Sequence, residues 1–259
     1  MRDVKVVQEF FEKEAMSWER EREREHGPDS ERKDGFQAVY AVLRSIVESF
    51  PQPPKLLDIG CGTGAHLRLL SPIVRSAIGL DLAEGMINEA KVLAERQIGP
   101  RSNLTFIRFD ASDIENIGNL RNDMRNFDMV MIVGALEHML EREKLLRALH
   151  DICTPSCRLV IVSPSKFSIP FLIERVKNFG NPPRLCPSDT HFSLGKLKKI
   201  AQLCGWSFQF ARPIVAPPSH YAGGPTKLMY QLDKGRAALP ILRFFGTYCS
   251  IFTPIRGAV

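Results

Sequence analysis

Residues 56–64 read Leu56-Leu57-Asp58-Ile59-Gly60-Cys61-Gly62-Thr63-Gly64, and no other stretch restricts the fold so tightly. An apolar strand ends beside an acidic residue, and glycine then occupies every second position before a helical segment begins. Glycine permits a sharp turn and lets a ligand approach backbone with no Cβ in the way. A helix beginning near Thr63 turns its free N–H groups toward that ligand. A tight strand–helix junction without a ligand would use the same glycines, so the rest of the chain has to decide.

From Lys55 onward short apolar runs alternate with helical segments. The expected strands are Lys55–Ile59, Ala77–Asp81, Leu104–Phe109, Phe127–Val133 and Arg158–Ser163. Between them, helices are expected over His66–Leu70, Glu84–Arg96, Ile114–Leu120 and Glu141–Ile152. That alternation predicts a parallel sheet covered by helices on both faces. Later segments predict a helix over Leu194–Leu203, a strand over Trp206–Pro213, a helix near Leu228–Leu239 and a last strand over Thr247–Thr253. Upstream, Phe36, Val39, Tyr40, Leu43, Ile46, Val47 and Phe50 recur at helical spacing, marking an amphipathic helix that Pro51, Pro53 and Pro54 stop. The expected architecture is a Rossmann-like, seven-stranded, mostly parallel α/β sheet. A helical cap would cover residues 1–50, the main domain 51–259, and lid segments 164–192 and 212–246 would border the substrate pocket.

The glycine spacing departs from the dinucleotide fingerprint, because the third glycine comes one residue early. It resembles motif I of the class I S-adenosylmethionine (SAM)-dependent methyltransferases, and the resemblance continues in order over about residues 55–210. Ile78-Gly79-Leu80-Asp81 is similar to the family's second strand, whose acidic residue binds the ribose hydroxyls. Leu82-Ala83-Glu84-Gly85-Met86 resembles the loop at the adenosine end, and Phe109-Asp110-Ala111 the third strand end that contacts adenine. Phe127 through Val133, continued by Gly134-Ala135-Leu136-Glu137-His138, resembles the fourth-strand motif of the small-molecule branch. Thr190-His191-Phe192-Ser193 and the cluster Phe10, Phe11, Ala15 and Trp18 also resemble that branch, the latter its N-terminal cap.

The resemblance implies SAM as cofactor, held by Asp58, Gly60, Gly62, Gly64, Asp81, Leu82, Met86, Asp110, Ala111 and Val133. A carboxylate at Asp81, 23 residues after Asp58, can accept both ribose hydroxyl protons in charge-assisted bonds. Asp110 could instead cap the helix after it, and Met86 could simply fill core. His138 is the candidate general base, with a pocket-shaping role as the alternative and His191 as a rival. His66 and His150 lie in helices and read as ordinary structural histidines. In the quinone-biosynthesis O-methyltransferases a second Glu precedes the Glu-His pair by three residues, and together they bind a divalent metal. Here that position is Gly134, so no metal is expected. Asn181-Pro182-Pro183-Arg184 is similar to an amino-methyltransferase motif but falls some 50 residues too late, and reads as a proline turn.

Composition narrows the partners. No stretch reaches the roughly 20 apolar residues of a membrane span, and the charged start Met1–Arg20 has no signal-peptide core, so a cytoplasmic protein is expected. The cysteines show no C-x-x-C pair and no zinc spacing. Residues 164–259 carry 13 Lys and Arg against Glu174, Asp189 and Asp233, a balance of +10, whereas the first 163 residues carry −4. A solvated basic face explains this as well as an anionic acceptor or an acidic membrane surface does. The expected partner is a small-molecule acceptor, hydroxyl-bearing and amphiphilic or anionic, with peripheral membrane contact and no nucleic acid. A nucleic-acid methyltransferase lacks a recognisable binding module here. An NAD-dependent oxidoreductase fails on glycine spacing, and a non-catalytic SAM-binding subunit remains the third alternative.

Overall fold

The computed structural model describes residues 5, 7–12, 33–100, 102–110, 113, 124–165, 192–214 and 247–255. The expected helices at Ile114–Leu120 and Leu228–Leu239 lie outside them, as do the 181–184 turn, His191 and Ala111. Among the described residues no helix is long and apolar enough to cross a membrane.

Seven strands form one sheet: β1 (Lys55–Ile59), β2 (Ser76–Asp81), β3 (Leu104–Arg108), β4 (Phe127–Val133), β5 (Cys153–Pro164), β6 (Trp206–Ile214) and β7 (Thr247–Pro254). Their spatial order is β3-β2-β1-β4-β5-β7-β6. β1 to β5 run parallel, and β7 is antiparallel to both β5 and β6. Among the described residues, the helices flanking the sheet are α1 (Lys33–Glu48), α2 (Ala65–Leu70), α3 (Glu84–Gln97), α4 (Arg142–Ile152) and α5 (Leu194–Leu203), and residues 7–12 are helical upstream of them.

Strand residues alternate between two cores, as the two-residue period of a strand requires. Leu57, Ile59, Ile78, Leu80, Val130, Ile132, Leu159 and Ile161 pack on one face against Leu145, Leu146 and Leu149 of α4 and Leu197 and Ala201 of α5. Leu56, Ala77, Met129, Met131, Val160 and Val162 pack on the other against α1, α2 and α3 through Leu43, Ile46, Leu67, Ile87 and Ala90. Each large aliphatic side chain fully buried this way contributes about 1.5–3 kcal/mol. Trp206, fully buried, adds a polar anchor by donating its indole N–H to the Leu146 carbonyl at 2.7 Å.

Several element boundaries differ from the sequence reading, most by a single residue. α1, whose amphipathic spacing predicts a helix packed on the sheet, is a member of the second core. β5 begins at Cys153 rather than Arg158, because its pairing with β4 steps from Phe127↔Cys153 to Met129↔Arg158 across an irregularity. Residues 164 and 212–214, assigned to lids, are the last residues of β5 and β6.

Candidate active site

β1 and β4 are neighbours although two other strands separate them in sequence, so chain order reverses between them and their carboxyl ends open a crevice. The glycine turn lies there. Gly60, Gly62 and Gly64 have φ of +73°, +53° and +73°, a left-handed conformation that side chains resist. Around Gly60 and Gly64 the space is filled as well. A Cβ on Gly64 would lie 2.7 Å from Phe106 Cζ, and one on Gly60 would overlap the Ala135 methyl. At Gly62 a Cβ would meet only Met86 Sδ, at 4.0 Å. Two glycines therefore permit packing, and the middle one keeps space open.

Backbone hydrogen bonds gather the neighbouring strand ends onto this turn. Gly60 and Cys61 N–H donate to the Leu80 carbonyl at 2.8 and 3.0 Å. The Asp81 carboxylate accepts from Gly62 N–H at 2.8 Å and from Ala83 N–H at 3.0 Å. Phe109 N–H donates to the Asp81 carbonyl at 2.8 Å, which sets Asp110 at the end of β3 beside them. Asp81 thus already spends one acceptor position on each oxygen within the protein. A carboxylate offers about four such positions, so Asp81 keeps acceptor capacity for a ligand. Leu82 is half-buried and its carbonyl accepts from Arg108 Nε at 3.4 Å, while Met86 is buried beneath the loop with Ala83.

The floor of the crevice is acidic. Asp58 is 3% exposed, and its Oδ1 has no hydrogen-bond partner. Burial first, and then the charge of Asp81, hold the Asp58 carboxyl well above the usual carboxylate range. Asp81 is also raised, chiefly by burial, with its backbone N–H donors pulling the other way. Burial and these two carboxylates push the Cys61 thiol up as well. A buried carboxylate with an unused oxygen and a half-buried one, beside an open glycine turn, suit a ligand that is cationic and rich in hydroxyl donors. SAM, with its ammonium, sulfonium and ribose, fits that description.

On the β4 side, Val133 is half-buried, and Gly134, φ +62°, donates its N–H to Val162 at 2.9 Å. The turn 135–138 then packs on Gly60 through Ala135, and His138 N–H closes on the Ala135 carbonyl at 3.1 Å. Arg142 pins this turn, its guanidinium donating to the Leu136 and Glu137 carbonyls at 2.9 Å each. Glu137 is 4% exposed and accepts from Ser163 Oγ at 3.4 Å. A Cβ on Gly134 would sit 4.0 Å from Glu137 Oε1. Among the described residues no group of three or more His, Cys, Asp and Glu side chains could hold a metal ion.

Two contributors escape the sequence reading. The buried Arg68 donates to the Thr63 carbonyl and, at 2.9 Å, to Gln97 Oε1, bracing the glycine turn against α3. Glu12 accepts from Glu84 and Gly85 N–H at 2.7 and 2.9 Å. An apolar neighbourhood around Phe11 was the only sequence sign of this contact. His66, stacked on Phe36 at 4.5 Å, and His150, with Nε2 at 3.2 Å from the Ile255 carbonyl, sit in structural roles.

Residues 57–161 match the family model of the methyltransferase domain. The chain is similar to the ubiquinone biosynthesis O-methyltransferases of Ruegeria pomeroyi, 26% identical over 46% of either chain, and of Colwellia psychrerythraea, 26% identical over 69% of this chain and 70% of that one. It thus spans about half the length of the first of these relatives. Among solved structures, magnesium protoporphyrin IX methyltransferase from Synechocystis with bound SAH shares the fold at TM-score 0.68 and 15% identity, over 97% of this chain and 100% of that one. The methyltransferase in complex with the Trm112 activator of Haloferax volcanii does so at TM-score 0.64 and 14% identity, over 99% and 100%. The glycine turn, the carboxylate at the end of β2 and the reversal between β1 and β4 agree with those matches: residues 57–161 are a methyltransferase domain, and the fold is that of the SAM-dependent methyltransferases.

Proposed function

We propose that the chain transfers the methyl group of SAM to a hydroxyl of a small amphiphilic or anionic molecule, with His138 as general base. The observation that carries this reading is the seating of the 135–138 turn directly on the glycine turn, through Ala135 and Gly60. It puts an imidazole-bearing turn next to the cofactor crevice. When bound, SAM supplies a methyl carbon on a sulfonium, an electrophile that needs no covalent help from the protein.

The chain's own residues then hold, orient and deprotonate. Asp58 with Gly60, Gly62 and Gly64 would receive the cationic amino-acid half, and Asp81, Leu82 and Met86 the ribose. Asp110 and Ala111 would receive the adenine, and Val133 would border the methyl. Fixing the acceptor against the methyl in this way supplies about 7–11 kcal/mol of the barrier through proximity. An imidazole nitrogen of His138 takes the hydroxyl proton as the new bond forms and returns it to solvent afterwards. The names of the ubiquinone-biosynthesis relatives support an oxygen acceptor. The +10 balance of residues 164–259 supports an anionic or amphiphilic one.

The test is to incubate the protein with methyl-labelled SAM and a cell extract and to identify the labelled fraction. Label on a hydroxyl of a small molecule, lost in His138→Ala, is the expected result. SAM binding with no labelled product in any fraction would point instead to a subunit that awaits a partner.

A further inference from the structure

Phe11 and Glu12 lie far upstream of the sheet in sequence, yet both land on the rim of the cofactor crevice. Glu12 uses both carboxylate oxygens, Oε1 for Glu84 N–H at 2.7 Å and Oε2 for Gly85 N–H at 2.9 Å. These are the first two amides of α3, donors that a helix leaves unpaired at its start. α3 has no cap of its own, since its N-cap residue is Ala83 and makes no side-chain bond. A Ser or Asp at that position would cap the helix locally. Here the cap comes from a residue 72 positions away, so the amino end of α3 and the upstream segment are fastened together. That end follows directly on the loop carrying Asp81, and the Glu12 charge is felt at Asp81.

One residue earlier, Phe11 packs on Ala83 and Met86. Its ring also meets the His138 imidazole edge to face, with centroids 5.2 Å apart and planes at 69°. Phe10 backs Phe11 in a second edge contact, at 5.2 Å and 87°. Consecutive side chains therefore touch the ribose-side loop and the turn after β4. A segment that merely filled surface would need neither the paired acceptor geometry nor the ring contact.

We propose that Phe11 is a positioning residue for His138 and that Glu12 is the latch that keeps Phe11 in place, so residues 7–12 form a strap that retains the cofactor. The half concerning Phe11 rests on the reading of His138 as the base. The half concerning Glu12 does not. With the strap closed, the imidazole is held to a narrow range of ring orientations, and the loop of Asp81 cannot move away from a bound nucleoside without breaking two charge-assisted hydrogen bonds.

The test uses the full chain and its variants Glu12→Ala, Glu12→Gln, Phe11→Ala and Phe11→Tyr, with melting curves to show that each folds. Amide exchange at Glu84 and Gly85 reads the latch without any ligand, and stopped-flow release of SAH reads retention. Glu12→Ala should speed exchange at both amides and accelerate SAH release about tenfold, the equivalent of about 1.4 kcal/mol, with Glu12→Gln between it and wild type. Equal exchange and equal release in wild type and Glu12→Ala would overturn the latch. In the labelled-SAM assay, Phe11→Ala should lower kcat about tenfold and shift the acidic limb of the pH–rate profile while SAH affinity holds, and Phe11→Tyr should restore both. An unchanged kcat and pH profile in Phe11→Ala would overturn the positioning role. If His138→Ala itself keeps wild-type turnover, the general-base reading fails, and the exchange and release results still decide the strap.

Discussion

Replacing Gly62 by alanine should separate folding from cofactor binding, and its two neighbours supply the controls. The new methyl meets nothing closer than Met86 Sδ at 4.0 Å, so the only folding penalty is the left-handed backbone at φ +53°. That conformation costs an L residue about 1–2 kcal/mol, a minor part of the roughly 5–15 kcal/mol that holds a domain together. At about 2–4 °C per kcal/mol, Tm should fall by about 2–8 °C. Gly64→Ala has the same backbone strain and also drives a methyl to 2.7 Å from Phe106 Cζ. Overpacking of that kind adds about 1–3 kcal/mol, and Gly60→Ala, overlapping Ala135, should behave alike. Thermal melts by circular dichroism read the fold, and calorimetry with SAM and SAH reads binding. The expected result is a nearly native Gly62→Ala that has lost at least about 100-fold in affinity, or about 2.7 kcal/mol, beside strongly destabilised Gly60→Ala and Gly64→Ala proteins. A Gly62→Ala protein that binds SAM as wild type does would refute the assignment of this turn to the cofactor.

Asp58→Asn should raise the Tm of the ligand-free protein and weaken SAM binding. Because the folded-state pKa of Asp58 lies above its unfolded value of about 3.9, its penalty is full above the folded pKa and fades as pH falls through it, so the Tm gain should be larger at pH 8 than at low pH. A Tm gain independent of pH, or none, would refute that account. His138→Ala should lower turnover by about 100-fold or more while SAM affinity changes little, as calorimetry and the labelled-SAM assay will show. Added chelator should leave turnover nearly unchanged, and strong inhibition reversed by Mg²⁺ would count against the reading of Gly134. Sedimentation with anionic vesicles should pull the protein down at low salt and release it at high salt. A protein that stays in the supernatant at both has no electrostatic membrane contact.

Much of the sheet was legible because strands buried on both faces read as continuous apolar runs. Lys55–Ile59 and Phe127–Val133 match the expected strands residue for residue. α5 is likewise where its spacing put it, with Ser193 capping through its hydroxyl and Gly205 at positive φ after its end. The start of β5 was not legible, since Thr154-Pro155-Ser156 breaks the apolar run and only the pairing irregularity with β4 keeps Cys153 in the strand. Nor was the insertion of β7 between β5 and β6, because a strand's own residues do not state which edge it joins. Within the site, motif residues could be placed because each follows a strand end at a fixed offset. Glu12 and Arg68 could not. Their partners are a pair of backbone amides in a distant helix and a carbonyl of the glycine turn, groups every residue possesses.

The same residues explain why the crevice is held from so many sides. Asp58, buried, and Asp81, half-buried beside it, both have raised pKa values, an arrangement that works against folding. The surroundings oppose it by fixing the backbone around them. Arg68 ties down Thr63, Asp81 itself draws in Gly62 and Ala83, and Arg142 clamps the turn of His138. A cationic ligand would supply the counter-charge that burial denies to Asp58. With SAM seated as proposed, transfer would remove the sulfonium charge and leave the ribose and ammonium contacts in place. The product would then lose the electrostatic part of its hold and keep the hydrogen-bonded part. A strap fastened on the ribose-side loop, as Glu12 is, acts on the part that persists.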